Sequence, residues 1–419
     1  MWNFTRVYML GGCLVGMLAT AGMVGTVAAQ PGYSVVQGAN YVDDVYFSLE
    51  NGVVATVPAG NWDLAFEVTS PFSIGIRLND GNGRELAVYP NGDLTSWATV
   101  DSTGFGGWPK RNNGLDLWEN GALNTGLSGD PMDFGWGVYT GPPLHEVVGD
   151  SLYILKRPDG SAVKLRVEQL SGGVWSFTHA NLDGSNEVSV DIAMADFSDR
   201  NFVYYDVVTG VVDREPATGT WDLLFTRYMG PTQFGFFPTT GVLINRDRLG
   251  AKADGVDVEA ALPADHPMDA ENISVIGNDW KTLVDFVWQI VDDRCYFVAD
   301  GSGNVFKLVF TGFTGSSTGV TTFNVFPMNS VGVAEAGPAG VGESMGLQMY
   351  PNPLGDGGLW LAGWTGAWEV SVFSLAGELV AQGRGSEGVP VELGGLAAGT
   401  YVVRVTDGVR VVTERLVKG

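Results

Sequence analysis

The chain is poor in the residues that carry covalent and metal chemistry. Its 419 residues include two cysteines and three histidines. Paired-cysteine zinc sites, His-Glu-x-x-His metal sites and Cys-x-x-Cys-His haem attachment need residues and spacings that are not in the sequence. If a leader ending at Ala29 is removed, Cys295 is the one cysteine left. An internal disulfide is then excluded, and core burial must hold the fold. Cations are scarce too: 23 Lys and Arg stand against 47 Asp and Glu, for a net charge of -24. Nucleic acid is bound through cations that displace counterions from phosphate, so no nucleic-acid partner is expected. Beyond the first thirty residues no apolar run reaches the ~20 residues of a spanning helix, and no long run has helical periodicity.

Glycine and aromatic residues are plentiful. There are 60 Gly and 19 Pro, and the aromatic share is 11% within a hydrophobic share of 45%. That composition predicts an all-β chain of short strands and many turns around a sizeable core. Residues 1–29 hold one charge, Arg6, then an apolar stretch, then Val27-Ala28-Ala29. A cationic start, an apolar middle and compact residues at the end describe a secretory signal peptide, with the Sec translocon and signal peptidase as partners.

The body repeats itself. Val45-Tyr46-Phe47 and Val203-Tyr204-Tyr205 are offset by 158 positions, as are Asn51-Gly52-Val53-Val54 and Thr209-Gly210-Val211-Val212. Trp62-Asp63-Leu64-Ala65-Phe66 and Trp221-Asp222-Leu223-Leu224-Phe225 follow after one inserted residue. Strand alternation would send Trp62, Leu64 and Phe66 into the core together, and likewise Trp221, Leu223 and Phe225. The repeats also match in their second halves: Tyr153-Ile154-Leu155 with Tyr296-Phe297-Val298, Asp159-Gly160-Ser161 with Asp300-Gly301-Ser302, and Val163-Lys164-Leu165 with Phe306-Lys307-Leu308. The first repeat carries extra residues, including the Gly- and Trp-rich stretch from Trp97 to Trp118. The expected organisation is a first repeat at 30–195, a second at 196–328, a flexible linker at 329–346 and a terminal unit at 347–419.

The terminal unit reads as a small immunoglobulin-like antiparallel β-sandwich. Its Tyr350-Pro351-Asn352-Pro353, Leu375-Ala376-Gly377-Glu378-Leu379-Val380, Gly395-Leu396-Ala397-Ala398-Gly399-Thr400-Tyr401 and closing Arg415-Leu416-Val417-Lys418 resemble the type IX secretion C-terminal sorting domain of Bacteroidota. The resemblance implies that Pro351, Asn352, Pro353, Gly377, Gly399, Tyr401 and Lys418 belong to an export signal. Its implied partners are the type IX secretion machinery and, after tail removal, surface lipopolysaccharide. The Trp-Asp-Leu-x-Phe strands, Thr226-Arg227-Tyr228 and Lys307-Leu308-Val309-Phe310 resemble HmuY-like proteins. These are secreted all-β proteins whose best-known members hold haem between two axial side chains. That resemblance implies two HmuY-like β units, and makes His145 and His179, set among Trp136, Tyr139, Trp175 and Phe177, the candidate haem ligands. The third histidine, His266, reads as part of an exposed turn; Met132 and Met268 are conceivable soft ligands.

Other motifs point away from catalysis. Gly315-Ser316-Ser317-Thr318-Gly319 has the spacing of a nucleophile elbow, but no histidine follows it and its setting is a strand pair. Asp63 and Asp222 recur in a repeated motif, which a shared folding need explains better than an active site. Asp80-Gly81-Asn82-Gly83, Asp183-Gly184-Ser185 and Asp254-Gly255-Val256-Asp257 read as turns without the full calcium-loop spacing. The expectation is a secreted or outer-membrane cell-surface protein, reached through the periplasm, with a non-enzymatic binding or structural role and no cofactor. The alternatives are a haem-binding surface protein and a carbohydrate-active enzyme using paired carboxylates.

Overall fold

The computed structural model describes residues 32–125, 129–232, 235–270 and 272–328. In the tail it describes 348–350, 354, 358–362, 367–374, 379–386, 389–391, 393, 395–406 and 411–418. The leader 1–29, the linker 329–346 and Pro351, Asn352, Pro353 and Gly377 lie outside the described residues.

The chain is all-β. Antiparallel strands are joined by turns, and the helical elements among the described residues are short 3-10 turns. Contacts divide it into two compact units, Met1–Ser330 and Val331–Gly419. The expected junction at 195/196 is therefore no boundary between independent domains. The reason is an exchange of hairpins. The first repeat's opening strand Asp43–Ser48, backed by Gly52–Pro58, pairs with Leu223–Thr232 of the second repeat, Val45 opposite Phe225 and Phe47 opposite Leu223. The second repeat's opening strand Phe202–Asp206, backed by Gly210–Val212, pairs with Leu64–Glu67 of the first, Val203 opposite Phe66 and Tyr205 opposite Leu64. The strand Tyr33–Val36 also crosses, pairing with Val320–Pro327. A two-stranded hairpin is marginal alone in water, so each finds its sheet in the other half.

Three apolar clusters follow from this exchange. One gathers Leu64, Phe66, Trp136, Trp175 and Phe177 with Val203 and Tyr205 from the second repeat. Another gathers Leu223, Phe225, Trp280, Tyr296 and Phe310 with Val45 and Phe47 from the first. The third lies between the halves and includes Tyr46, Trp118, Tyr204 and Trp221, with Trp62 packed against it. Within it, Trp62 meets Tyr204 edge-on at 4.9 Å and Trp221 meets Tyr46 edge-on at 5.0 Å. The Tyr46 and Tyr204 hydroxyls lie 3.5 Å apart, 158 residues apart in sequence. Equivalent residues of two repeats can touch each other only near a rotation axis, so this pair marks the local twofold.

The tryptophans correct the expected alternation. Leu64 and Phe66 enter the core as anticipated, but Trp62 packs in the cluster between the halves. The chain bends at Asp63 and at Asp222, and alternation holds only in the strand beyond the bend. The bends are fixed reciprocally. Asp63 donates its N–H to Tyr205 O and Asp222 donates its own to Phe47 O, both at 2.8 Å. Their carboxylates accept N–H groups from the opposite hairpins: Val207 at 2.9 Å for Asp63 and Leu49 at 2.8 Å for Asp222.

The second halves also match, with a corrected register. Arg157 donates its N–H to Ser161 O and accepts from Gly160; Asp300 makes the same turn with Asn304 and Gly303. Arg157 is thus the counterpart of Asp300, and Asp159 that of Ser302. Lys164 and Lys307 are both buried. Each ammonium group is satisfied by covering-loop carbonyls, Trp97 for Lys164 and Val258 and Glu259 for Lys307. The expected loop from Trp97 to Trp118 does more than cover: the Trp118 indole N–H donates to Ile244 O at 3.0 Å, tying the first repeat to the second.

The terminal unit has one four-stranded antiparallel sheet in the order Leu379–Ser386, Ala367–Ser374, Gly399–Thr406, Val411–Lys418. A second, smaller pair joins Gln348–Tyr350 to Trp360–Ala362. Its own core includes Leu359, Trp368, Val370, Val372, Val403, Val405 and Leu416. Of the expected sorting-signal residues, Gly399 begins an inner strand opposite Lys418. The Tyr401 hydroxyl on that strand donates to Ala397 O at 2.8 Å.

Candidate functional site

An apolar cavity of about 300 Å³ opens beside His145. Four segments build it. The turn after Leu64–Glu67 supplies Phe72 and Ile74, the stretch leading into Gly137–Tyr139 supplies Met132 and Phe134, and the hairpin with Val147–Gly149 supplies Tyr139, His145 and Val147. Leu170, near the end of Ala162–Ser171, closes the floor. The turn at Phe72 is held by the Ser73 hydroxyl, which accepts the Ser70 N–H at 2.9 Å. Phe72 is 77% exposed at the rim, and Met132 and Leu144 are exposed near it.

His145 sits in the left-handed region at φ 51°, uncommon for a residue with a side chain. Its N–H donates to Gly141 O at 2.9 Å. Its Nδ1 is in close hydrogen-bond contact with the Tyr139 hydroxyl. If Nδ1 carries the proton in that contact, Nε2 keeps a lone pair and can bind a metal or accept a proton; if the hydroxyl donates, Nε2 is a donor. An apolar hollow with a hydrogen-bonded polar pair, Tyr139 and His145, at its wall has the ordinary form of a small-ligand site.

His179 is placed elsewhere. It lies on Val174–Asn181, almost fully buried, and is not among the residues lining this cavity. Its Nε2 is 2.9 Å from the Tyr205 hydroxyl, and its ring stacks on Phe177. Burial lowers its pKa, with Asp63 opposing, and keeps the ring neutral. His145 and His179 therefore do not form the facing pair that axial haem ligation requires: the nitrogen of His179 is taken up by Tyr205 inside the first core. Met132, not His179, shares the cavity with His145. His266 stacks on Phe297 at 5.7 Å.

The remaining chemical motifs resolve into structure. Asp63 is wholly buried and takes Arg84 Nε at 2.9 Å and Arg157 Nε at 3.2 Å; Asp222 takes Arg248 Nε at 2.7 Å. Ser317 lies in the turn between Val305–Phe313 and Val320–Pro327, its hydroxyl donating to Thr314 O at 2.9 Å. The Asp183 carboxylate caps its own turn through Ser185, and Asp254 pairs with Arg294. Asp80 is buried and accepts the Asn113 N–H at 2.9 Å. Burial raises the pKa of its carboxyl. Among the described residues no group of three or more His, Cys, Asp or Glu is placed to hold a metal ion. No helix there is long and apolar enough to cross a membrane.

Sequence reasoning reached His145, Tyr139 and Met132 but not Phe72 or Leu170. Only the turn-forming Ser70-Pro71 before Phe72 hints that an aromatic would be left at a surface. Compared with known families, curated proteins and solved structures, the chain has no match.

Proposed function

We propose that this chain is a secreted or cell-surface binding protein without catalytic activity, carried out of the cell by a type IX secretion system that reads its C-terminal unit. The observation that carries the proposal is the separateness of that unit: Val331–Gly419 forms its own set of contacts and its own apolar core. A removable address must fold without help from its cargo, and a self-contained β unit at the chain end meets that need. The body, on this reading, is a duplicated HmuY-like scaffold. Its acidic excess serves solubility. The test is deletion of 347–419 in a bacterium with a working type IX system. The shortened protein is expected to accumulate in the periplasm. Its arrival outside in normal amount would overturn the proposal.

A second reading, haem binding, is favoured by one specific feature: His145 and Met132 line a single apolar cavity, an imidazole and a thioether of the kinds that hold haem iron. Haemin titration should then give a sharpened Soret band that is lost in His145→Ala and kept in His179→Ala. A band that survives His145→Ala removes this reading.

A further inference from the structure

An open groove of about 450 Å³ is lined by Arg84, Arg157 and Arg227 with Asn40, Tyr41 and Asn82. We infer that this groove binds an acidic saccharide, its carboxylate or sulfate held by Arg227 and Arg157 and its hydroxyls by the neighbouring amides. The inference is independent of the export reading and of the His145 cavity.

Charge is the first argument. In a chain with twice as many acids as bases, buried guanidinium groups have fixed partners: Arg84, Arg214 and Arg248 pair with Asp63, Asp44 and Asp222, and Arg77 donates to the carbonyls of Gly114, Leu117 and Trp118. The Arg227 guanidinium forms no ion pair or hydrogen bond among the described residues, although it lines the groove. Arg157 spends Nε on Asp63 and Nη2 on Asp206, while its Nη1 has only a 3.9 Å contact with Asp159. Two guanidinium edges thus face one opening with donors to spare, and guanidinium geometry matches planar or tetrahedral oxyanions.

The duplication sets the groove apart. Residues kept in both repeats serve the fold, as Arg84 and Arg248 do on Asp63 and Asp222. Two of the groove's three arginines are departures. Arg227 stands where the first repeat has Val68, a core residue. Arg157 stands where the second repeat has Asp300. The twofold-related place thus carries the anion Asp300 where the groove carries the cation Arg157.

The groove is also held rigid. A Cβ on Gly81 would lie 2.3 Å from the Arg227 carbonyl, so the glycine lets the two backbones touch. Asn40 and Tyr41 adopt φ 58° and 57°, a strained pair of the sort found at ligand sites. The Tyr41 ring lies parallel to Phe313 at 6.1 Å. The ligand class follows from the remaining polar atoms. The Asn82 Nδ2 is used by Ala59 O and Asn79 Oδ1, which leaves its Oδ1 as an acceptor with no donor among the described residues. A bare anion offers that oxygen nothing. A sugar unit bearing an acid and free hydroxyls satisfies both the arginines and the amide.

The test is calorimetric titration of the full mature chain at low ionic strength with trigalacturonate, a sulfated heparin disaccharide, neutral maltotriose and inorganic sulfate. One of the two acidic saccharides should bind, more weakly as salt rises, and which one does identifies the anion. Arg227→Gln, checked for native circular dichroism, should weaken binding tenfold or more, and Arg227→Lys should restore part of it. Asp159→Asn, which removes the 63% exposed carboxylate at the groove, should tighten binding severalfold. Binding unchanged in Arg227→Gln, equal binding of maltotriose or of sulfate alone, or no binding of either acidic saccharide would overturn the inference.

Discussion

Replacing Asp63 with alanine tests the crossed architecture directly. The carboxylate is wholly buried, takes Arg84 at 2.9 Å and Arg157 at 3.2 Å, and accepts the Val207 N–H at 2.9 Å. Its removal leaves a buried guanidinium without its counter-charge, a loss of ~3–5 kcal/mol. Arg84 keeps the carbonyls of Asn82 and Gly60, and Arg157 keeps Asp206. That places the expected loss near the lower end, ~3–4 kcal/mol. At roughly 2 °C per kcal/mol for a large unit, the melting midpoint should fall by ~6–8 °C. The exchanged hairpins impose a stricter demand. Asp63 holds the second repeat's hairpin and Asp222 holds the first's, so the body must melt in one transition. Asp63→Ala and Asp222→Ala must then lower the same transition, the latter by less because Asp222 serves one arginine. Scanning calorimetry of residues 30–419 gives the answer. Two body transitions, one moved by each variant, would refute the reasoning.

Three further outcomes are expected. Gly149→Ala would place a Cβ 1.8 Å from Val167 O, and the forced shift should cost ~3 kcal/mol in urea unfolding. Glu215 is buried and accepts the N–H groups of Asn201 and Phe202, and burial pushes its pKa up to about 8. The folded state therefore holds a proton that the unfolded state has lost between pH 4.5 and 8, so stability falls as pH rises across that window, by on the order of 5 kcal/mol. Glu215→Gln should flatten the urea midpoint there, and an unchanged slope would count against the assignment. Lys281, packed on the Trp280 ring at 3.9 Å and donating to Thr240 O, is driven down to about 7 by burial. Its contribution has the opposite sign: stability rises with pH from about 7 towards the unfolded lysine value. Lys281→Met should abolish that rise in the same titration.

Local patterns carried the local structure. Leu64 and Phe66, and Leu223 and Phe225, read as strand positions facing a core and are, and the repeat itself was visible as a shared spelling. Partner choice was not visible. Nothing in Asp43–Ser48 says that it pairs with Leu223–Thr232, because each repeat's opening hairpin fits either copy of the same sheet edge. Adjacency in sequence made the same-repeat pairing the natural expectation. What decides is reciprocity: the bent Trp-Asp corner places its carboxylate under the other hairpin's turn, and that arrangement exists only once both copies are present. The misplacement of Trp62 has the same origin, since alternation cannot be carried backwards through a bend at Asp63.

The sites were legible to a different degree, for a reason that the duplication supplies. Rare residues draw attention in a sequence, so histidines led to His145 and also to His179. One lies at a cavity wall and the other is a core residue bonded to Tyr205; composition cannot tell these apart, because both sit among aromatics. Arg157 drew none, and Arg227 entered only as part of the repeated-strand motif Thr226-Arg227-Tyr228. Their interest appears only when the structure fixes the register, since Arg157 aligns with Asp300 by the hydrogen bonds of its turn and not by the Asp-Gly spelling. In a duplicated fold the positions that agree report what both halves need to stand. The positions that disagree in charge while agreeing in backbone answer to one half alone, as Arg157 does in pairing with Asp63 and Asp206 while keeping Nη1 toward the groove, and they are where binding chemistry should be sought first.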